Sequence, residues 1–197
     1  MAEMAPISDT KADNILLAAF DTFRTYGFRR TTMEDIARAA GMSRAALYLH
    51  FRNKEDIQRG MTKAYYEQVA ERVQVALAHS GTVQELLSQA FAEHAGETFK
   101  ILVDSPHGNE LLDLQNSVSL DLTRAGQARV SGVYAEWLMR EQKRGRVDLA
   151  QFNQSPSEVA EVMCLALYGL KSSNLSYERF VERRNLLAAA FSKAISP

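Results

Sequence analysis

The sequence predicts an all-α chain: an N-terminal three-helix bundle with a helix-turn-helix, followed by a C-terminal helical domain. Three observations carry this expectation. Apolar residues recur at three- and four-residue spacing along most of the chain, and no stretch reads convincingly as a strand. Helix-start residues stand ahead of several of those stripes: Thr32, Ser43, Ser105-Pro106 and Ser155-Pro156. Four prolines and ten glycines in 197 residues leave little room for a β-rich or low-complexity chain.

The first helix is expected from about Thr10 to Tyr26. Ala12, Ile15, Leu16, Ala19, Phe20 and Phe23 form its apolar stripe. Gly27 ends it, and Phe28 is expected to tuck back as an anchor. The helix-turn-helix follows in TMEDIARAAGMSRAALYLHFRNK, Thr32 to Lys54. Thr32 is a good N-cap, and Asp35 can answer it as an acidic capping box. Met33, Ile36, Ala37 and Ala40 form one buried stripe. Gly41 sits where a chain leaving a helix often needs positive φ. Ser43 caps a second helix in which Leu47 and Phe51 face inward, leaving Arg44, Ala45, Tyr48 and Leu49 outward. The first of these helices braces, and the second offers its N-terminal end to a DNA major groove. An ordinary αα-corner has the same outline.

Charge distribution favours the nucleic-acid reading. From Phe23 to Lys54 there are seven basic and two acidic residues, a net of +5. From Glu55 onward the net is −3. A basic head on a mildly acidic body is the footprint of a nucleic-acid-binding segment joined to something else.

Further helices are expected from Lys54 to about Ser80, Val83 to Val103, Pro106 to Leu114, Val118 to Lys143, Pro156 to Ser173 and Tyr177 to Ile195. Ser105-Pro106 and Ser155-Pro156 each read as an N-cap followed by Pro at the first helical position. In the last two helices Val159, Val162, Leu170, Phe180, Leu187 and Phe191 belong to apolar residues found on more than one face. A terminal helix apolar on two sides needs a second partner, which a twofold copy of the chain would supply.

Phe20 and Phe23, Tyr26-Gly27-Phe28, Thr31-Thr32, Ile36-Ala37, Ala40-Gly41, Ser43, Leu47-Tyr48, His50-Phe51, Lys54-Glu55 and Ile57 together resemble the tetracycline-repressor (TetR) family of one-component transcription regulators. The resemblance covers about the first quarter of the chain. Arg146-Val147-Asp148-Leu149 and Gly169-Leu170 are similar to that family's lead-in to its dimerisation helices. The resemblance implies a homodimer whose second short helices enter major grooves of a palindromic operator. It also implies a body that binds a small molecule and thereby releases double-stranded DNA. On this reading residues 1–53 are the DNA-binding domain and residues 54–197 the ligand-binding and dimerisation domain.

The candidate DNA contacts are Thr32, Ser43, Arg44, Ala45, Ala46, Tyr48, Leu49, His50 and Lys54. Arg44 can bond the O6 and N7 of guanine bidentately, or hold a phosphate. Ala45, Ala46 and Leu49 can offer close approach or a thymine-methyl contact. Tyr48 and His50 match positions that contact phosphate in the family, and Thr32 can cap and also reach phosphate. Lys54 and the first amides of its helix form a natural phosphate site.

For an effector pocket the body offers Tyr65, Phe91, Phe99, Trp137, Met163 and Tyr168, residues equally suited to plain core. His94, His107 and Asn116 are the polar groups able to orient a ligand. They share no metal-ligand spacing, so neither metal nor cofactor is expected. The chain carries no phosphate loop, nucleophile elbow or dinucleotide fingerprint, so no enzyme is expected. The lone Cys164 sits in an apolar run, as a packing cysteine does. The N-terminus carries acids and lacks an apolar core, and no run is apolar enough to span a membrane, so a cytoplasmic location is expected. The competing reading is a helical protein–protein interaction module that retains a DNA-binding-like head.

Overall fold

Side-chain caps punctuate much of the chain. The computed structural model describes residues 10–171 and 176–197, except for the side chains of residues 115 and 116. Nine α-helices are found among the described residues: α1 Lys11–Tyr26, α2 Met33–Ala39, α3 Arg44–Tyr48, α4 Lys54–Ala76, α5 Val83–Val103, α6 Gly108–Ser117, α7 Leu120–Lys143, α8 Pro156–Gly169 and α9 Tyr177–Ala194. A 3-10 turn, Ala150–Phe152, precedes α8. The described residues contain no strand, as the all-α expectation required. None of their helices is long and apolar enough to cross a membrane.

Two compact units emerge. The described part of the first comprises residues 10–65 and 97–124. Its core joins Ile15, Leu16, Phe20 and Phe23 of α1 to Ile36 of α2, Leu47 of α3, Ile57 of α4, Leu102 of α5 and Leu111 of α6. Each such side chain contributes about 1.5–3 kcal/mol on burial. The head is therefore not closed by its first three helices alone. Gly108 lets α6 approach, since a Cβ there would stand 1.7 Å from the Leu102 carbonyl oxygen. Arg59 of α4 clasps Asp121 of α7 through two hydrogen bonds of 2.7 Å, and its Nη1 also donates to the Val118 carbonyl at 3.2 Å.

The second unit comprises residues 66–96, 125–171 and 176–197 of the described chain. Val69, Val73, Leu87, Phe91, Tyr134, Trp137, Met163 and Phe180 are among its buried side chains. Gly126 of α7 lies against Tyr66 so closely that a Cβ would meet the ring at 2.2 Å. The buried Glu141 accepts from Arg144 at 3.1 Å and also pairs with Arg146, which ties down the chain leaving α7.

Four local expectations need correction. Ser105-Pro106 does not start α6. The Ser105 hydroxyl donates back to the Ile101 carbonyl, and the helix begins after His107 with no side-chain cap. The start of α5 carries an unforeseen capping box: Glu85 accepts from the Thr82 amide at 2.8 Å, and Thr82 Oγ1 accepts from the Glu85 amide at 3.2 Å. This helix is also interrupted at Gly96, whose φ of 62° and ψ of 169° are not helical. Finally, α4 stops at Ala76, short of the expected Ser80.

Candidate nucleic-acid interface

Thr32 accepts a hydrogen bond from the Asp35 amide at 3.2 Å, and Asp35 accepts from the Thr32 amide at 2.9 Å. This is the reciprocal capping box expected from the sequence. Hydrogen bonds from the Thr32 hydroxyl and amide hold the Asp35 carboxyl below its ordinary range. At the other end of α2 the chain turns by a Schellman pattern. The Met42 amide donates to the Ala37 carbonyl at 3.0 Å, and the Gly41 amide to that of Arg38 at 3.2 Å. Gly41 has φ +67°, a conformation that glycine adopts without a Cβ penalty. Ser43 then caps α3 by accepting from the Ala46 amide at 3.1 Å.

Those caps orient a five-residue helix. Leu47 is fully buried and pins α3 to the core, while Arg44, Ala45, Tyr48 and Leu49 are exposed. Leu49 is 86% exposed. Arg44 Nη2 donates to the Tyr48 hydroxyl at 3.3 Å, with the guanidinium carbon 5.5 Å from the ring centroid. His50 lies exposed just beyond the helix. Arg29 and Arg30 are exposed on the turn that leads into α2.

Three candidate contacts have other duties. Ala46 is only half-exposed, and its amide is taken by Ser43. The Thr32 hydroxyl is engaged with Asp35. Lys54 turns its ammonium inward, donating to the Phe28 carbonyl at 2.7 Å and lying 4.8 Å from the Phe28 ring centroid. Its place is therefore to seat the Phe28–Arg29 turn rather than to present a charge outward. Phe28 is the anchor expected, buried with its ring 5.0 Å from that of Phe23.

The effector candidates fall in two places. Tyr65, Phe99 and Asn116 belong to the first unit, and the side chain of Asn116 is outside the described residues. Phe91, His94, Trp137, Met163 and Tyr168 belong to the second. There the His94 ring stacks on Tyr134, with centroids 5.8 Å apart, and meets the edge of Tyr168 at 5.0 Å. Tyr134 stands three residues before Trp137, which puts both on one side of α7. His107 belongs to the first unit, 3.8 Å from Glu110 and beside Gly27.

Of the candidate dimer contacts, Val159 and Phe180 are buried within the chain and so are core residues. Leu170, Leu187 and Phe191 are half-buried. Val162 and Leu165 are each 57% exposed, and Leu186 is 71% exposed. Burial also pushes the Cys164 thiol up to about 12, so it carries almost no thiolate near neutral pH.

The family model described as bacterial regulatory proteins, tetR family, matches residues 15–61. The fatty acid metabolism regulator protein of Bacillus subtilis (strain 168) is 30% identical over 80 residues, covering 41% of each chain. The chain thus spans less than half the length of that curated relative. A crystal structure of a transcriptional regulator from Cytophaga hutchinsonii shares the fold with a TM-score of 0.77 at 21% identity, covering 96% of this chain and 100% of that one. SmeT, described as the repressor of the Stenotrophomonas maltophilia multidrug efflux pump SmeDEF, gives 0.68 at 19% identity, covering 96% and 92%. The match to the tetR family model falls on the same capped helices that build the exposed face of α3, and the fold around them is shared with solved transcriptional regulators over nearly the whole chain.

Proposed function

We propose that the chain is a homodimeric, DNA-binding transcriptional regulator: a cytoplasmic repressor that leaves a palindromic operator when a small molecule binds. The observation that carries this reading is α3, capped by Ser43, pinned by Leu47 and exposing Arg44, Ala45, Tyr48 and Leu49 together. A guanidinium with apolar neighbours at the start of a short exposed helix suits a major-groove reader. The net +5 between Phe23 and Lys54 supplies attraction to phosphates. Residues 1–53 carry the DNA contacts on this reading, and residues 54–197 carry the effector and dimer contacts.

Exposed Val162, Leu165 and Leu186 on α8 and α9 support pairing of two copies through those helices. The repressor sign draws on SmeT, which its description calls a repressor. A mobility-shift titration of duplexes from the promoters beside the coding sequence tests the proposal. Expected is a preference for one palindrome, with two chains bound and affinity falling steeply as salt rises. Equal affinity for every duplex would overturn it.

A further inference from the structure

Among the polar side chains of the second unit that carry buried nitrogens or oxygens without hydrogen-bond partners are His94, Tyr134, Trp137 and Arg72, the last of which pairs with Glu93 at 3.8 Å. His94 of α5 is fully enclosed, and neither Nδ1 nor Nε2 is hydrogen-bonded. The Tyr134 hydroxyl and Trp137 Nε1 of α7 share this condition. Buried polar groups are nearly always paired, so His94, Tyr134 and Trp137 in one neighbourhood point to a partner that they receive from outside the chain. They form one group. His94 and Tyr134 stack at an interplanar angle of 27°, and Trp137 follows Tyr134 by about one helical turn. Phe91 closes on Tyr134 edge to face, with centroids 5.8 Å apart.

We propose that His94, Tyr134 and Trp137 are the polar anchor of the effector site, and that the effector is an uncharged aromatic hydroxyl compound of the phenol class. The proposal rests on the effector reading above and adds the chemistry of the ligand. Trp137 can only donate, a neutral imidazole donates once and accepts once, and a tyrosine hydroxyl does both. One hydroxyl oxygen accepts and donates together, so it answers donors and acceptors standing side by side. A carboxylate only accepts and leaves the imidazole lone pair unmet. An ammonium only donates and leaves the indole N–H unmet.

Solvation points the same way. Burial holds His94 well below its usual range, with the Lys171 charge acting in the same direction, and pushes Tyr134 well above its own. Both are therefore neutral near pH 7, and the anchor has no ionised group to offset the desolvation of a charged ligand. The rings of His94, Tyr134 and Phe91 give this group aromatic faces and edges, the surfaces that a flat aromatic compound stacks on. Lys171 Nζ lies over the Tyr168 ring at 5.4 Å, so an anionic ligand drawn to that charge is the rival to be tested.

The test is calorimetric titration of the full chain, free of DNA and near neutral pH. The probes are para-propylphenol, propylbenzene and para-propylbenzoate. Trp137 is the only tryptophan, so its emission reports on the same site. Expected is one saturable phenol site per chain, at least about tenfold tighter than for propylbenzene and tighter than for the benzoate. His94→Leu should lower phenol affinity about tenfold and leave propylbenzene affinity within about twofold. His94→Gln, which keeps a donor and an acceptor, should retain most of the phenol affinity, and melting curves confirm that both variants fold. Three results would overturn the proposal: equal binding of phenol and propylbenzene, preference for the benzoate, or no saturable binding. Preference for the benzoate leaves the effector reading standing. Failure to bind any duplex in the mobility shift would instead strike the DNA reading, and this titration does not depend on it.

Discussion

Arg44 leans on Tyr48 across one turn of α3, its Nη2 3.3 Å from the phenolic oxygen and its guanidinium carbon 5.5 Å from the ring centroid. The hydrogen bond and the ring hold a long, mobile side chain near one rotamer before DNA arrives. On the proposed function, less conformational freedom would then be lost on binding a base. Arg44→Ala should weaken binding to the preferred operator about tenfold and relax preference at one base pair per half-site. Tyr48→Phe should cost severalfold less, because the ring remains. Fluorescence anisotropy against operators substituted one base pair at a time checks both. If the arginine holds a phosphate instead, all sequences weaken equally and the salt slope falls by about 1 per chain.

The Ser43 cap matters out of proportion to its size because α3 has only five residues. A helix this short has no cooperative length to sustain it. Ser43→Ala should cost about 1 kcal/mol in urea denaturation, and Ser43→Asp should recover most of it. The aspartate should nevertheless bind DNA less well than the alanine variant, since it places a negative charge facing phosphates. Anisotropy on the two folded variants separates the effects.

Two glycines of α7 predict opposite outcomes. Gly126→Ala drives a Cβ into the Tyr66 ring and should destabilise by about 1–3 kcal/mol. Nothing lies within 4 Å of a Cβ at Gly132. Gly132→Ala should therefore stabilise by about 0.5–1 kcal/mol through helix propensity. Melting temperatures moving in the same direction would refute the packing argument.

Hydrogen bonds from Arg59 lower the Asp121 carboxyl to about 2 from an ordinary 3.8. A group whose folded pKa lies below its unfolded value stabilises the fold above the unfolded pKa. That contribution is complete above the ordinary carboxylate range and is lost as pH falls from about 4 through about 2. Asp121→Asn should flatten this part of the acid-denaturation profile and leave its pH dependence near neutrality unchanged. Denaturant midpoints measured across the acid range check it.

Much of the head was legible because its signals are local. A threonine answered by an acid three residues later, a glycine between two apolar stripes and a serine before the next helix act through backbone groups only a few residues away. Thr32, Gly41 and Ser43 accordingly adopt the caps and the turn expected of them. Lys54 was harder to read. A lysine opening a helix looks the same on paper whether it faces solvent or, as here, bonds the carbonyl of Phe28, which lies 26 residues away. Ser105-Pro106 failed for a related reason: the serine hydroxyl found the Ile101 carbonyl of the preceding helix and left α6 uncapped.

By itself the sequence determined the helical class, the capped helix-turn-helix and the basic segment that contains it, since periodicity, capping and charge are properties of neighbours along the chain. Tertiary structure alone decided which apolar residues are covered and which polar ones are stranded. Val159 and Phe180 were drawn into the core while Leu165 and Leu186 were left outside. His94, Tyr134 and Trp137 were enclosed together, without hydrogen-bond partners, by helices far apart in sequence. Burial depends on what packs from across the fold, and no local pattern encodes it.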